Sequence, residues 1–414
     1  MVCPNVGSRA RHKAGDKGFV FCVPRFRDFS TLDSTTSKTK FVKITLFISI
    51  QIIFGLSSTV QKTMNESRVE ELMGQMVGHM TGSMVCLGVW LGDELGLYKV
   101  MRNQGPQSAD EVAVASRCHP RLVREWLDGQ AAGGLIEFDA EVDRYSLTDE
   151  AAAVLADETQ PTFVARAMNA LGSFYMDIEK VKTAFKGDGA IAWGDHHPCL
   201  FRGTEWFFRP GYRTFLCTEW IPSLNGVDEK LKVGGRVADV GCGHGASIIA
   251  MAKHYSNATF SGFDYHAPSI ETSRLRARDE GLENRTRFEV ADAKSYEGNF
   301  DLICFFDCLH DMGDPVGIAR HAREHLADGG SVLMVEPFAL DSRAKNIAEN
   351  PMATLLYNAS TCVCTPNSLS QEVGLGLGAQ AGEERLRDVF LEAGFSSFER
   401  RTETPLNLVF QAKS

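Results

Sequence analysis

Val237-Ala-Asp-Val-Gly-Cys-Gly-His-Gly-Ala246 decides the fold of this chain, because an apolar strand here breaks into three closely spaced glycines and then a helix. Glycines at 241, 243 and 245 reach backbone angles closed to other residues. Without side chains they let a ligand lie against the main chain beside a helix N-terminus, the reading of a nucleotide-cradling turn. Asp264 strengthens it. It closes the next apolar strand, Ala258 to Phe263, and follows Gly241 by 23 residues, near the roughly 20 expected for a carboxylate that grips ribose hydroxyls.

The glycines alone fit two kinds of ligand, since Gly241, Gly243 and Ala246 also satisfy the G-x-G-x-x-G/A pattern of dinucleotide-binding folds. Asp239 separates them. It stands two residues before the first glycine, where a dinucleotide fold keeps an apolar strand residue but a ligand bearing an ammonium group, such as methionine's amino group, wants a carboxylate. Asp292-Ala293 follows a strand from Arg287 to Val290, where a third strand offers a carboxylate to an adenine amino group. Phe300 to Phe306 is a further strand, closing on Asp307.

At these residues the chain resembles the class I S-adenosylmethionine-dependent methyltransferases, over residues 230–414. The resemblance implies an α/β fold, a Rossmann-like, seven-stranded, mostly parallel sheet flanked by helices and ending in an antiparallel hairpin. It implies S-adenosyl-L-methionine as cofactor, held by Asp239, Gly241, Gly243, Gly245, Asp264, Tyr265, Asp292, Ala293 and Asp307. The tail suits that plan: Glu383 to Ala393 has helical spacing, Gly394 is a stop, and Phe398 to Thr404 and Leu408 to Ala412 read as two short strands around Pro405.

Composition bounds the remainder. With 414 residues, 44% hydrophobic and 23% charged, the chain reads as a soluble globular protein of two domains plus appendages. A formal charge of -10 argues against nucleic acid as a partner. Eleven scattered cysteines, some inside core strands such as Cys242 and Cys304, suit free thiols in a reducing, cytoplasmic setting. Cys362-x-Cys364 is too close for a zinc-ribbon pair, and buried thiols are the preferred reading over a metal there or at Cys304, Cys308 and His310.

Residues 1–63 form a separate extension. Up to Lys43 it carries nine Lys or Arg against three Asp, then Ile44 to Leu56 is almost wholly apolar. That run of 13 residues, interrupted by Gln51, falls short of the roughly 18–20 needed to span a bilayer. The favoured expectation is an alternative start at Met64 behind a dispensable extension. The competitor is a membrane-associated anchor over residues 44–60.

From Met64 to Glu158 the pattern predicts a helical domain with a winged-helix end. Glu70 to Leu91 carries Leu72, Met76, Met80, Met84, Leu87 and Leu91 at helical spacing, an apolar stripe that needs a partner surface. Ser108-Ala-Asp-Glu111 offers a capping box for a short helix to Ala115, and Pro120 to Ala132 is a second helix stopped by Gly133-Gly134. Leu135 to Phe138 and Arg144 to Leu147 then flank an acidic turn as a wing. The second helix carries only Arg121 and Arg124, balanced by Glu125 and Asp128, too little positive charge for a major-groove reader. The arrangement resembles the N-terminal dimerisation domain of small-molecule O-methyltransferases and the winged-helix domain of a bacterial and animal methyltransferase group. Both resemblances imply a homodimer.

Chemistry is expected at Asp307-Cys-Leu-His-Asp-Met-Gly-Asp-Pro315, at the mouth of the fourth strand. In plant-type O-methyltransferases a His-Asp pair occupies this loop and the histidine takes the proton from the accepting hydroxyl; His310-Asp311 matches it. An imidazole of pKa roughly 6.5 can accept a proton at neutral pH. Ser331 to Glu336 ends in an acid matching the family's orienting glutamate, whereas the second supporting glutamate falls on Gln380, a departure. Asp314-Pro315 reads as an N-cap and first turn.

Residues 159–229 join the two domains and concentrate aromatics, in Trp193-Gly-Asp-His-His197, Trp206-Phe-Phe-Arg-Pro-Gly-Tyr212 and Trp220. A substrate pocket for a flat or apolar small-molecule acceptor is expected there, from Trp193, His196, His197, Phe207 and Tyr212. The competing reading is that these residues only fix the linker helices to the catalytic domain. Two other functions stay open at this point: an NAD(P)-dependent reductase, disfavoured by the lack of a Tyr-x-x-x-Lys dyad, and a winged-helix regulator with a degenerate methyltransferase domain.

Overall fold

The structure, a computed structural model, describes residues 64–414, so the readings of residues 1–63 lie outside the described residues. Among the described residues no helix is long and apolar enough to cross a membrane. The first element is the long helix α1 (Glu66–Glu94). Small residues set the face it turns inward: a Cβ on Gly92 would stand 2.5 Å from Trp126 and 2.6 Å from Tyr98, while Val89 and Asp93 are buried. Of the expected stripe, Met76, Met80, Met84, Leu87 and Leu91 therefore point away from this core and are 47–64% exposed. Glycine allows a close approach that large side chains would block, so the pattern's apolar face is not the one that packs.

Helix α2 (Leu97–Met101) leads to α3 (Ala109–Ser116), whose first turn is closed by the expected capping box between Ser108 and Glu111. Then come α4 (Pro120–Ala132), the antiparallel wing of β1 (Glu137–Asp139) and β2 (Arg144–Ser146), and α5 (Asp149–Leu155). Val112, Leu127 and Tyr145 close this core. Next, α6 (Met168–Met176), α7 (Ile178–Lys186) and α8 (Cys199–Gly211) bridge to the sheet. Helices α6 and α8 touch through Gly203, where an added Cβ would lie 2.0 Å from the Ala170 nitrogen. Gly203→Ala is thus expected to push the helices apart and to cost about 1–3 kcal/mol, read as a lowered denaturant midpoint. Pro210 lies inside α8, and from Tyr212 to Trp220 the coil widens into a π-helix, a form that frequently marks functional positions.

Beyond α9 (Val227–Val233), strands and helices alternate: β3 (Arg236–Val240), α10 (Ala246–His254), β4 (Thr259–Asp264), α11 (Ala267–Asp279) and β5 (Thr286–Val290). They continue with β6 (Phe300–Phe306), α12 (Pro315–Glu324) and β7 (Leu326–Pro337). Three helices follow, α13 (Arg343–Glu349), α14 (Ala353–Cys362) and α15 (Cys364–Leu369), before α16 (Glu383–Glu392), β8 (Ser397–Glu403) and β9 (Asn407–Lys413). The seven-stranded sheet runs β5-β4-β3-β6-β7-β9-β8, with β9 antiparallel to both neighbours and the other pairs parallel. This is the expected Rossmann-like plan. Central strands β3 and β6 are buried almost throughout, as covering both faces with helices demands. Strand order reverses between β3 and β6, and a crevice at the carboxyl ends of the strands at such a switch point is where ligands bind.

Candidate active site

The loop after β3 adopts the left-handed angles its glycines permit, with φ of 79° at Gly241, 50° at Gly243 and 74° at Gly245. Gly241 and Gly243 line a cavity at the switch point. Gly245 serves packing instead, since a Cβ there would meet Phe288 at 2.9 Å. Asp264 braces the loop from β4: Oδ2 accepts from the Gly243 nitrogen at 2.9 Å and Oδ1 from the His266 nitrogen at 2.8 Å. Burial raises its carboxyl pKa against those two bonds. Asp264 and Tyr265 both line the cavity.

Asp239 carries the clearest ligand signal. It is 1% exposed; Oδ2 accepts from the Ser247 hydroxyl, and Oδ1 has no partner. Burial pushes its carboxyl up to about 7. A buried acceptor without a donor is costly, and an ammonium group in the adjoining cavity would satisfy it, so these residues fit the cofactor. Asp292 departs from expectation. It is exposed, accepts from the Lys294 nitrogen at 2.8 Å, and leaves the cavity wall to Ala291 and Ala293. A carboxylate at a turn can be used by its own backbone, and here it is.

At the end of β6, Asp307 holds a φ of 51°, rare outside glycine. Asn407 donates to its Oδ1 at 2.7 Å, Oδ2 is unpartnered, and burial beside Glu336 raises its pKa well above the usual range. His310 and Glu336 are both buried and joined between Nδ1 and Oε2; Glu336 Oε1 also accepts from the His310 nitrogen at 3.3 Å. Burial alone would lower the imidazole's proton affinity, but Glu336 and the adjacent Cys364 outweigh it and hold the ring well above its ordinary value. Gln380 does not replace a second glutamate at the histidine. Its amide donates to Phe338 O at 3.1 Å and accepts from Asn350 at 2.9 Å.

His310 faces a second, mainly apolar cavity lined from α6 and α8 by Met168, Leu171, Phe174, Leu200, Phe207 and Phe208, and from α14 and α15 by Leu355, Leu356, Ala359 and Cys364. Trp193, Thr204, Phe208, Asp307 and Asp311 line both cavities, so the two adjoin. Asp311, on that shared wall, is raised by burial to about 7. Trp193 and Phe207 line this second cavity, whereas Tyr212 lines the glycine-loop cavity beside Phe306 instead. His196 and His197 line neither cavity. Buried Asp177 holds the His196 ring, its Oδ2 meeting Nδ1 at 3.0 Å, and accepts from the His197 backbone nitrogen at 2.8 Å, while the His197 ring accepts from the Cys199 nitrogen at 3.3 Å.

Several contributors escaped the sequence reading. Asn367 on α15 accepts from the Trp193 nitrogen at 3.0 Å and from the Tyr265 hydroxyl at 3.3 Å, and donates to Asp311 O at 3.1 Å, tying the walls of the two cavities together. Glu205 on α8 is buried and receives His244 Nδ1 at 3.0 Å and both terminal nitrogens of Arg276. Burial opposes its charge, but those donors hold it at about 2. The helical spacing of Leu355, Leu356, Ala359 and Val363 was the available signal for the wall.

Comparison with known proteins matches this architecture in two pieces. Residues 231–393 match the family described as a methyltransferase domain, and residues 83–157 the Rv2258c-like winged HTH domain. The 27-O-demethylrifamycin SV methyltransferase of Amycolatopsis mediterranei (strain S699) is 29% identical over 128 residues, 29% of this chain and 47% of that protein. Norajmaline N-methyltransferase of Rauvolfia serpentina is 23% identical over 185 residues, 42% of this chain and 59% of that protein. The chain thus spans about half the length of these curated relatives. Among solved structures, a putative O-methyltransferase of Nostoc punctiforme PCC 73102 superposes with a TM-score of 0.63 at 20% identity, covering 82% of this chain and 99% of that one. Human N-acetylserotonin methyltransferase in complex with SAM does so at 0.62 and 16%, covering 85% and 99%. The chain therefore joins a methyltransferase domain, matched over residues 231–393, to an Rv2258c-like winged HTH domain, matched over residues 83–157.

Proposed function

We propose that the protein transfers a methyl group from S-adenosylmethionine to a hydroxyl of a small, largely apolar acceptor, with His310 as general base. One observation carries the reading: an imidazole fixed by Glu336 faces an apolar cavity that adjoins the cavity of Asp239 and the glycine loop. When bound, the cofactor supplies a methyl group already activated by its sulfonium sulfur. The chain's own part is to position the acceptor, exclude water and take up the proton. Phe174, Phe207 and Phe208 hold an apolar body, and with Nδ1 engaged by Glu336, Nε2 is the nitrogen that takes the acceptor's proton, the Cys364 thiol lying beside the ring. Glu336 acts through His310 as a positioning residue. The relatives' names point to small-molecule acceptors at both oxygen and nitrogen; a buried base favours oxygen, because a hydroxyl must lose its proton.

Isothermal titration of the chain with S-adenosylmethionine, and with NADPH in parallel, tests the cofactor. Micromolar binding of the former alone is expected, and binding of NADPH alone would replace this reading with the reductase. Release of S-adenosylhomocysteine is then expected with phenolic or enolic acceptors; release with amines only would overturn the hydroxyl assignment. Asp264→Ala is expected to weaken cofactor binding by about 1.5–3 kcal/mol, roughly ten- to a hundredfold, with unchanged affinity undoing the ribose assignment. A homodimer through the N-terminal helices belongs to the same proposal, supported by the exposed Met80, Met84, Leu87 and Leu91. Leu87→Glu should then halve the mass seen by light scattering, and a wild-type monomer would sink the dimer.

A further inference from the structure

A third cavity, of about 260 Å³, lies between the loop after α5 and the end of α8 and shares no lining residue with the other two. Thr159, Gln160, Trp206, Arg209, Arg213 and Thr214 line it, together with Glu158. Its two arginines are poorly neutralised. Arg209 reaches a carboxylate only at 3.4 Å, on the Glu205 Oε1 that Arg276 already occupies. Arg213 donates to the Glu158 backbone oxygen at 2.9 Å and forms no ion pair among the described residues. The Glu158 carboxylate is itself spent on Arg166 at 2.6 Å and Lys99 at 3.8 Å. Burial, and the nearby charges of Arg276 and Arg213, depress the Arg209 guanidinium against the pull of Glu205 and Glu158. Arg209 and Arg213 thus line the cleft against the single carboxylate of Glu158, whose Oε2 is held by Arg166.

Stacking is closed to a ligand there. Arg166 lies over the Trp206 ring at 4.3 Å and Arg209 at 4.4 Å. What remains is charge and hydrogen-bond donors: two guanidinium forks and the Thr214 hydroxyl. A guanidinium fork pairs with two oxygens of a carboxylate or a phosphate alike, and two forks in one cleft suit an anion that offers more than two acceptor oxygens. We infer that this cleft is a binding site for a phosphate-type oxyanion, either free phosphate or the phosphoryl group of a small metabolite. The site does not depend on the methyl-transfer reading, because none of its residues lines either catalytic cavity.

Thermal unfolding of the full chain at fixed ionic strength tests it, with potassium phosphate, glycerol 3-phosphate and potassium chloride as titrants. A saturable rise of a few degrees is expected with phosphate or the monoester and not with chloride. A tighter response to the monoester assigns the metabolite source; a response to inorganic phosphate alone assigns the free ion. Arg213→Gln, at an exposed position, should abolish the rise while leaving S-adenosylmethionine affinity unchanged, and Arg209→Lys should weaken it at least tenfold. A wild-type response no greater than that to chloride, or an equal response in Arg213→Gln, overturns the site.

Discussion

His310→Ala is expected to lower kcat by about 10²–10⁴-fold, the usual contribution of a positioned base, while S-adenosylmethionine affinity stays close to wild type, because the ring lines the acceptor cavity and not that of the glycine loop. The pH profile sharpens the test. Glu336 raises the proton affinity of the ring above that of ordinary imidazole, and only the neutral ring can accept a proton. kcat/KM should therefore climb with pH through a value above the ordinary imidazole range. Glu336→Gln removes the carboxylate that holds the proton, so the rising limb should move to lower pH even as the rate falls from poorer orientation. A rate loss with an unmoved limb would mean that Glu336 only packs. Full activity in His310→Ala would end the base assignment.

The second large effect lies at Asp239, where Asn should abolish tight cofactor binding and yet stabilise the empty protein. An unfolded aspartate titrates near its ordinary value of 3.8, and in the folded chain burial raises it to about 7. The folded state thus holds a proton that the unfolded state has released, and stability is lost as pH climbs from 3.8 through 7. Above that range the charged, half-partnered carboxylate costs on the order of 4 kcal/mol, at roughly 1.4 kcal/mol per pKa unit. An amide keeps the shape and an acceptor for Ser247 without the charge. Asp239→Asn should melt higher than wild type at pH 8 and equally at pH 4, while S-adenosylmethionine affinity drops about a hundredfold or more through loss of a buried charge pair, commonly worth 3–5 kcal/mol. Equal melting at pH 8 together with unchanged affinity would remove Asp239 from the cofactor site.

The sheet, the glycine loop and the His310 loop were readable because each is set by local necessity. Three glycines in five residues tolerate few backbone paths, and buried strands such as Phe300–Phe306 announce themselves by continuous apolarity. What could not be read depends on partners distant in sequence. His196 looked available until Asp177, on the turn between α6 and α7, is seen to claim its ring, while the His197 ring accepts from the Cys199 nitrogen. The Met stripe of α1 reads as core by periodicity, but Gly88 and Gly92 bring the opposite face inward. Asp292 had two uses open to it, an adenine or its own turn, and composition does not choose between them. Helices α13–α15 were missed because an amphipathic helix does not say which surface it will cover.

The two adjoining cavities are built from different kinds of material. One rests on main-chain angles, strand ends and a carboxylate with a missing partner, all features that a substitution damages. The other is a lining of interchangeable side chains, Leu355, Leu356 and Ala359 on α14 among them, carried by helices outside the sheet. Lineages of this protein can therefore drift toward new acceptors by trading those side chains one at a time, inheriting the reaction intact while its target changes.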